Sequence, residues 1–137
     1  MSTFLIVLAV IFFVVNLYYF FTNKSYKYSY FSSVLFFKLF VVLLGITISF
    51  GLLYYALSLN HVVLNNTSGN PVNVTFWNAM YFSGETILSV GYGDLVPVGS
   101  ARFFALLEAA CGLLLPTAYF IKALDGSRKN KNEDNYH

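Results

Sequence analysis

Between Lys38 and Glu85 the chain carries no Lys, Arg, Asp or Glu, and no other feature limits its fold so tightly. Most of that gap is one apolar run, 34–59, and a second, 101–124, follows further on. About 20 helical residues cross the hydrocarbon of a bilayer, and both runs reach that length. A soluble domain of 137 residues that is 58% hydrophobic and only 10% charged could not bury so much apolar surface, because short chains leave a large share of their area in water. Lipid is therefore the expected solvent, and an all-α, multi-pass membrane protein the expected class. A third run, 4–21, lacks the basic n-region and small-residue cleavage site of a signal peptide. It is apolar around its circumference except at Asn16, so residues 1–23 are read as an N-terminal hydrophobic helix that spans. A packed or interfacial helix is the alternative.

A shorter apolar piece, 75–88, lies between the two strong runs. At about 1.5 Å per residue it is too short to cross. Thr75 suits an N-cap, and Gly91 and Gly93 discourage continuation. The piece reads as a half-helix that enters the membrane and stops. The irregular backbone after it, 89–94, can lie at membrane depth only if protein covers it or it lines a water-filled cavity, so it needs company from other chains. The basic residues set the orientation. Lys24, Lys27 and Lys38 precede the first strong run, Lys122, Arg128, Lys129 and Lys131 end or follow the second, and only Arg102 lies elsewhere. By the positive-inside rule the 22–38 segment and the C-terminus are cytoplasmic and 60–100 faces outside.

A span, an outer loop, a re-entrant half-helix, the stretch "SVGYGD" and a second span resemble the pore module of tetrameric potassium channels over about residues 34–124. The resemblance implies an outer helix at 34–59, an extracellular loop at 60–74, a pore helix at 75–88, a selectivity filter at 89–94 and an inner helix at 101–124. A cytoplasmic loop (24–33) and a short polar cytoplasmic tail (125–137) complete the chain. A dehydrating cation must be offered oxygens in place of its water, and inward-turned main-chain carbonyls supply them. For successive carbonyls to face one way, alternate residues must leave the ordinary φ/ψ regions, which suits Gly91 and Gly93. By resemblance, the carbonyls of Ser89, Val90, Gly91 and Tyr92 and the Ser89 hydroxyl form the K+ sites, with Gly93 closing the filter. Most relatives have Thr where this chain has Ser89, so a methyl that packs the innermost site is missing. Non-selective relatives often carry an acid at the position of Tyr92, so Tyr92 argues for potassium.

Spacing alone leaves Glu85 and Asp94 as two solvated carboxylates. In the resembling bacterial channels these positions sit together behind the filter, where two acids cannot both ionise cheaply and one holds a shared proton. Tyr81 stands where such relatives often have a tryptophan that donates to this aspartate, and Thr86 completes the filter support. On the inner helix Glu108 and Gly112 share a face with Ala105 and Pro116. That face is either a packing stripe or a gating hinge at Gly112 and Pro116. Glu108 costs about 3 kcal/mol near mid-membrane unless partnered, so it is expected against the back of the pore helix. Phe120 and Leu124 would then line the cytoplasmic mouth.

No row of arginines marks a voltage sensor, and the polar tail is expected to be disordered. Cys111 reads as a buried small hydrophobe, and His61 and His137 as solvated. No nucleophile, base and orienter set and no basic patch for nucleic acid occurs, so neither an enzyme nor a nucleic-acid binder is expected. Sequons stand at Asn65, Asn66 and Asn73. One filter segment without an internal repeat requires several copies around an axis, and the resemblance implies a homotetramer in the plasma membrane. Its partners are its own copies, membrane lipid and permeant K+, with no cofactor. The expected function is passive potassium conduction. A non-selective cation channel and a non-conducting regulatory subunit are the alternatives.

Overall fold

The computed structural model describes residues 11, 12, 14, 15, 18 and 33–133. The chain divides into two units, Met1–Phe31 and Ser32–His137. In the first, Ile11, Phe12, Val14, Val15 and Tyr18 are helical. The reading of 4–21 as a span and of 24–33 as a cytoplasmic loop otherwise lies outside the described residues. The second unit runs α1 (Ser33–Ser58), β1 (Leu64–Asn66), α2 (Phe76–Ile87), β2 (Leu95–Pro97) and α3 (Ala101–Glu133).

Helix α1 contains no proline, and its hydroxyls bond within the helix: Thr47 donates to the Leu43 carbonyl and Ser49 to the Gly45 carbonyl, both at 2.9 Å. Its 26 residues reach about 39 Å at 1.5 Å per residue. Among the described residues, Ser33–Ser58 and Ala101–Gly126 are long and apolar enough to cross a membrane. Only 6% of the apolar window of each is buried within the chain, which excludes the core helices of a soluble fold. The protein is a largely helical membrane protein.

Helix α2 begins at the N-cap that the sequence signals and ends at Ile87, before the glycines at 91 and 93. The Thr75 side chain caps it by accepting from the Asn78 amide at 3.2 Å. Its 12 residues reach about 18 Å, too short to cross a bilayer.

Two features differ from the sequence reading. First, α3 passes Pro116 and continues beyond Leu124 to Glu133, so residues 125–133 of the tail are helical rather than disordered. Hydropathy marks where lipid ends. With no proline and the single Gly126 in this stretch, nothing stops the helix there. Second, the 60–74 segment is not plain loop, because β1 pairs antiparallel with β2, matching Leu64 with Pro97, Asn65 with Val96 and Asn66 with Leu95. Val98 N–H extends the pairing to the Val63 carbonyl at 2.9 Å.

The core sits at this end of the unit. It gathers Tyr54 of α1, Val63 and Leu64 of the loop, Val74, Ala79 and Phe82 around α2, and Ala101 and Ala105 of α3. Tyr54 and Phe82 meet edge to face, with ring centroids 5.0 Å apart.

Candidate functional site

Helix α2 ends in a complete Schellman cap. The Val90 amide donates to the Glu85 carbonyl (2.9 Å) and the Ser89 amide to the Thr86 carbonyl (3.0 Å), the paired bonds that close a helix through a left-handed residue. That residue is usually glycine, and here it is Ser89, at φ 54°. Gly91 and Gly93 follow at φ 57° and 80°. Left-handed residues thus alternate at 89, 91 and 93, with Val90 and Tyr92 between them. This is the alternation that a strip of same-facing carbonyls requires. The glycines carry the pattern that their residue type announces, whereas Ser89 is held in it by the cap. Val90 and Tyr92 are exposed on the single chain.

Behind this strip the structure brings Tyr81, Glu85, Tyr92 and Asp94 together. Glu85 is buried, and its Oε2 has no hydrogen-bond partner. Burial, and then the charge of Asp94, push Glu85 above the usual carboxylate range, opposed by the Tyr92 amide and the Tyr81 hydroxyl. Tyr81 lies against Tyr92, ring centroids 6.4 Å apart and nearly parallel. Its own ionisation is pushed up to about 12 by desolvation first and then by the Asp94 carboxylate that it faces. Asp94 Oδ1 accepts from the Leu95 amide at 3.1 Å. Thr86 turns back on its own helix, donating to the Phe82 carbonyl at 2.6 Å.

The β1/β2 ladder straps the chain just beyond Asp94, and Arg102 Nε donates to the Pro97 carbonyl at 3.2 Å. The C-terminal end of the 89–94 segment is therefore fixed to the strand pair and to the first turn of α3.

Glu108 is fully buried and faces the back of α2, as the cost of an acid at that depth requires. Its Oε2 accepts from the Tyr54 hydroxyl at 2.8 Å, and its Oε1 contacts the Ser83 hydroxyl. Ser83 Oγ in turn lies 2.7 Å from the Thr47 carbonyl oxygen, so the contacts join all three helices. Ser83 and Tyr54 were not singled out by the sequence. The available signal was the need of a buried acid for donors on neighbouring helices.

Gly112 packs against the end of α2. A Cβ there would overlap the Ile87 carbonyl oxygen, so this glycine marks a close approach of α3 and α2. Pro116 lies four residues on, inside the unbroken α3, and its missing N–H leaves the Gly112 carbonyl without its helical donor. Phe120 and Leu124 are exposed on α3, well along the helix from the residues gathered around the strip.

Two membrane-length helices, a capped half-helix between them and an alternating-hand strip at its tip define an ion-channel pore module. A family model described as "Ion channel" matches residues 42–125, more than half of the chain, and the chain belongs to that family. The chain is 34% identical over 88 residues to Protein LctB of Geobacillus stearothermophilus, covering 60% of this chain and 65% of the relative. It is 36% identical over 78 residues to Protein LctB of Bacillus caldotenax, covering 53% and 58%. The chain thus spans about three fifths of the length of these relatives. A shorter match, 44% identical over 41 residues, joins 29% of this chain to 14% of the inward rectifier potassium channel Kirbac3.1 of Paramagnetospirillum magnetotacticum. The potassium-channel resemblance read from the sequence agrees with the family and with this relative. No solved structure gives a significant match.

Proposed function

We propose that the chain is the subunit of a homotetrameric, potassium-selective channel that conducts K+ passively across the plasma membrane, with its C-terminus cytoplasmic. The observation that carries this reading is the alternation of left-handed residues at 89, 91 and 93 within "SVGYG". It suits a strip of carbonyls that replaces the hydration shell of a cation. The likeness to a relative whose name specifies potassium adds to it, as does Tyr92 in place of an acid. Irregular backbone this exposed on one chain is tolerated at membrane depth only when other subunits cover it, and four copies would close the ring. Ser89 to Tyr92 supply the oxygens, Gly93 ends the strip, and Tyr81, Glu85, Thr86 and Asp94 brace it, with Glu85 holding a proton beside Asp94. Gly112 and Pro116 give the inner helix its place to bend, and rings of Phe120 and Leu124 form an apolar mouth that closes by dewetting.

Flux through purified protein in liposomes tests the reading. Potassium-driven flux with sodium excluded, and a bi-ionic reversal potential far from zero, are expected. Flux of both ions would make the protein a non-selective cation channel. No flux would make it a non-conducting regulatory subunit.

A further inference from the structure

Four polar groups meet where α1, α2 and α3 pack: the Thr47 carbonyl, the Ser83 hydroxyl, the Glu108 carboxyl and the Tyr54 hydroxyl. Three contacts join them, Thr47 to Ser83, Ser83 to Glu108 Oε1, and Tyr54 to Glu108 Oε2. A hydrogen bond needs one hydrogen, so three contacts need three. The Ser83 and Tyr54 hydroxyls each carry one. The Thr47 carbonyl carries none and can only accept, which commits the Ser83 hydrogen to it. An ionised Glu108 would then face Ser83 oxygen to oxygen with nothing between them. Among the described residues the hydrogen-bond partners of Glu108 are the neutral Ser83 and Tyr54 hydroxyls, so neither would compensate a negative charge in this fully buried position.

We propose that Glu108 is a neutral carboxylic acid: its Oε1 hydrogen is donated to Ser83, Ser83 donates to the Thr47 carbonyl, and Tyr54 donates to Oε2. Each of the three side-chain hydrogens is then used once, in a chain that runs from α3 to α2 to α1. Glu108 thereby acts as a positioning residue. It holds α2 at Ser83, six residues before the first residue of the left-handed alternation, against both spans. A half-satisfied network at this depth would be worse than an apolar one, which is why the proton belongs to the fold. The inference uses contacts within one chain and does not depend on tetramer formation or potassium selectivity.

Infrared spectroscopy of the purified full chain in lipid nanodiscs at neutral pH tests it directly. The carbonyl stretch of a protonated carboxylic acid should be present, should persist in Glu85→Gln and should lose a component in Glu108→Gln. Glutamine places an N–H donor and a carbonyl acceptor where the neutral acid has them, so Glu108→Gln should keep the parent's melting midpoint while Glu108→Ala lowers it by several degrees. Absence of any protonated-acid band that Glu108→Gln removes would overturn the proposal. So would a Glu108→Gln variant that melts as low as Glu108→Ala, because that is the pattern of an anion accepting from both hydroxyls. A flux assay that fails while the band is present would bear on the channel reading alone.

Discussion

Ser89 is both the last residue of a helix cap and the first of the alternating strip, and the two roles share one backbone conformation. Its left-handed φ costs a non-glycine residue about 1–2 kcal/mol, offset here by the two cap hydrogen bonds from its own amide and that of Val90. Glu85 supplies one of those carbonyls from its main chain while its side chain lies buried near Asp94. Because the folded chain raises the proton affinity of Glu85 above that of the unfolded chain, folded protein binds more protons through this group, and stability falls as pH rises. The loss begins near the ordinary carboxylate value of 4.5 and continues upward through the raised one. Melting midpoints taken across a pH series should therefore decline over this window in the parent and flatten in Glu85→Gln; equal slopes would remove Glu85 as the cause. At this scale, glycines were the readable signal. Gly91 and Gly93 announce left-handed backbone, whereas a serine in that conformation is imposed by hydrogen bonds that no residue type encodes. Ser83 and Tyr54 were hidden for a similar reason. A lone serine in a half-helix looks like any other until the acid that needs it is found on another helix.

At the scale of elements, α2 is a wedge seated in notches on both spans. Gly51 of α1 receives Met80, whose sulfur lies 2.7 Å from where a Cβ would stand, and Gly112 of α3 receives the Ile87 carbonyl. The two glycines differ from Gly45, where an added Cβ meets nothing within 4 Å. Gly45→Ala should thus stabilise α1 through helix propensity by up to about 1 kcal/mol. Gly112→Ala should cost about 1–3 kcal/mol by forcing inner and pore helix apart. Thermal unfolding in one detergent reads both signs, and a neutral or stabilising Gly112→Ala would mean that the close approach is not required. The spans and the half-helix were legible because length against bilayer thickness decides them. The β1/β2 ladder was not, since three-residue strands are too short to show a period and are fixed by where the chain returns after residue 94. The end of α3 was less legible, because a polar stretch marks where lipid ends and, without a proline or a cap, does not by itself end a helix.

The whole molecule is more than one chain can satisfy. Val90 and Tyr92 beside the alternating strip, and Leu106, Leu113 and Phe120 along α3, stay exposed on a single copy. Lipid can cover the apolar side chains of a span, but it cannot satisfy irregular backbone. In the proposed tetramer each strip faces three others, and a cation on the axis binds the folded assembly and not the unfolded chain. Mass action then ties stability to the permeant ion: a site at a hundred times its dissociation constant adds about 2.7 kcal/mol. Purified protein melted in potassium or sodium chloride at equal ionic strength should show a midpoint that climbs with potassium and stays nearly level with sodium. Ser89→Ala removes one hydroxyl per subunit from the innermost site and leaves the carbonyls in place, so it should weaken the climb without abolishing it. A midpoint that follows ionic strength but ignores which cation is present would mean that the strip prefers no ion, and the potassium reading would fall even if the four chains assemble.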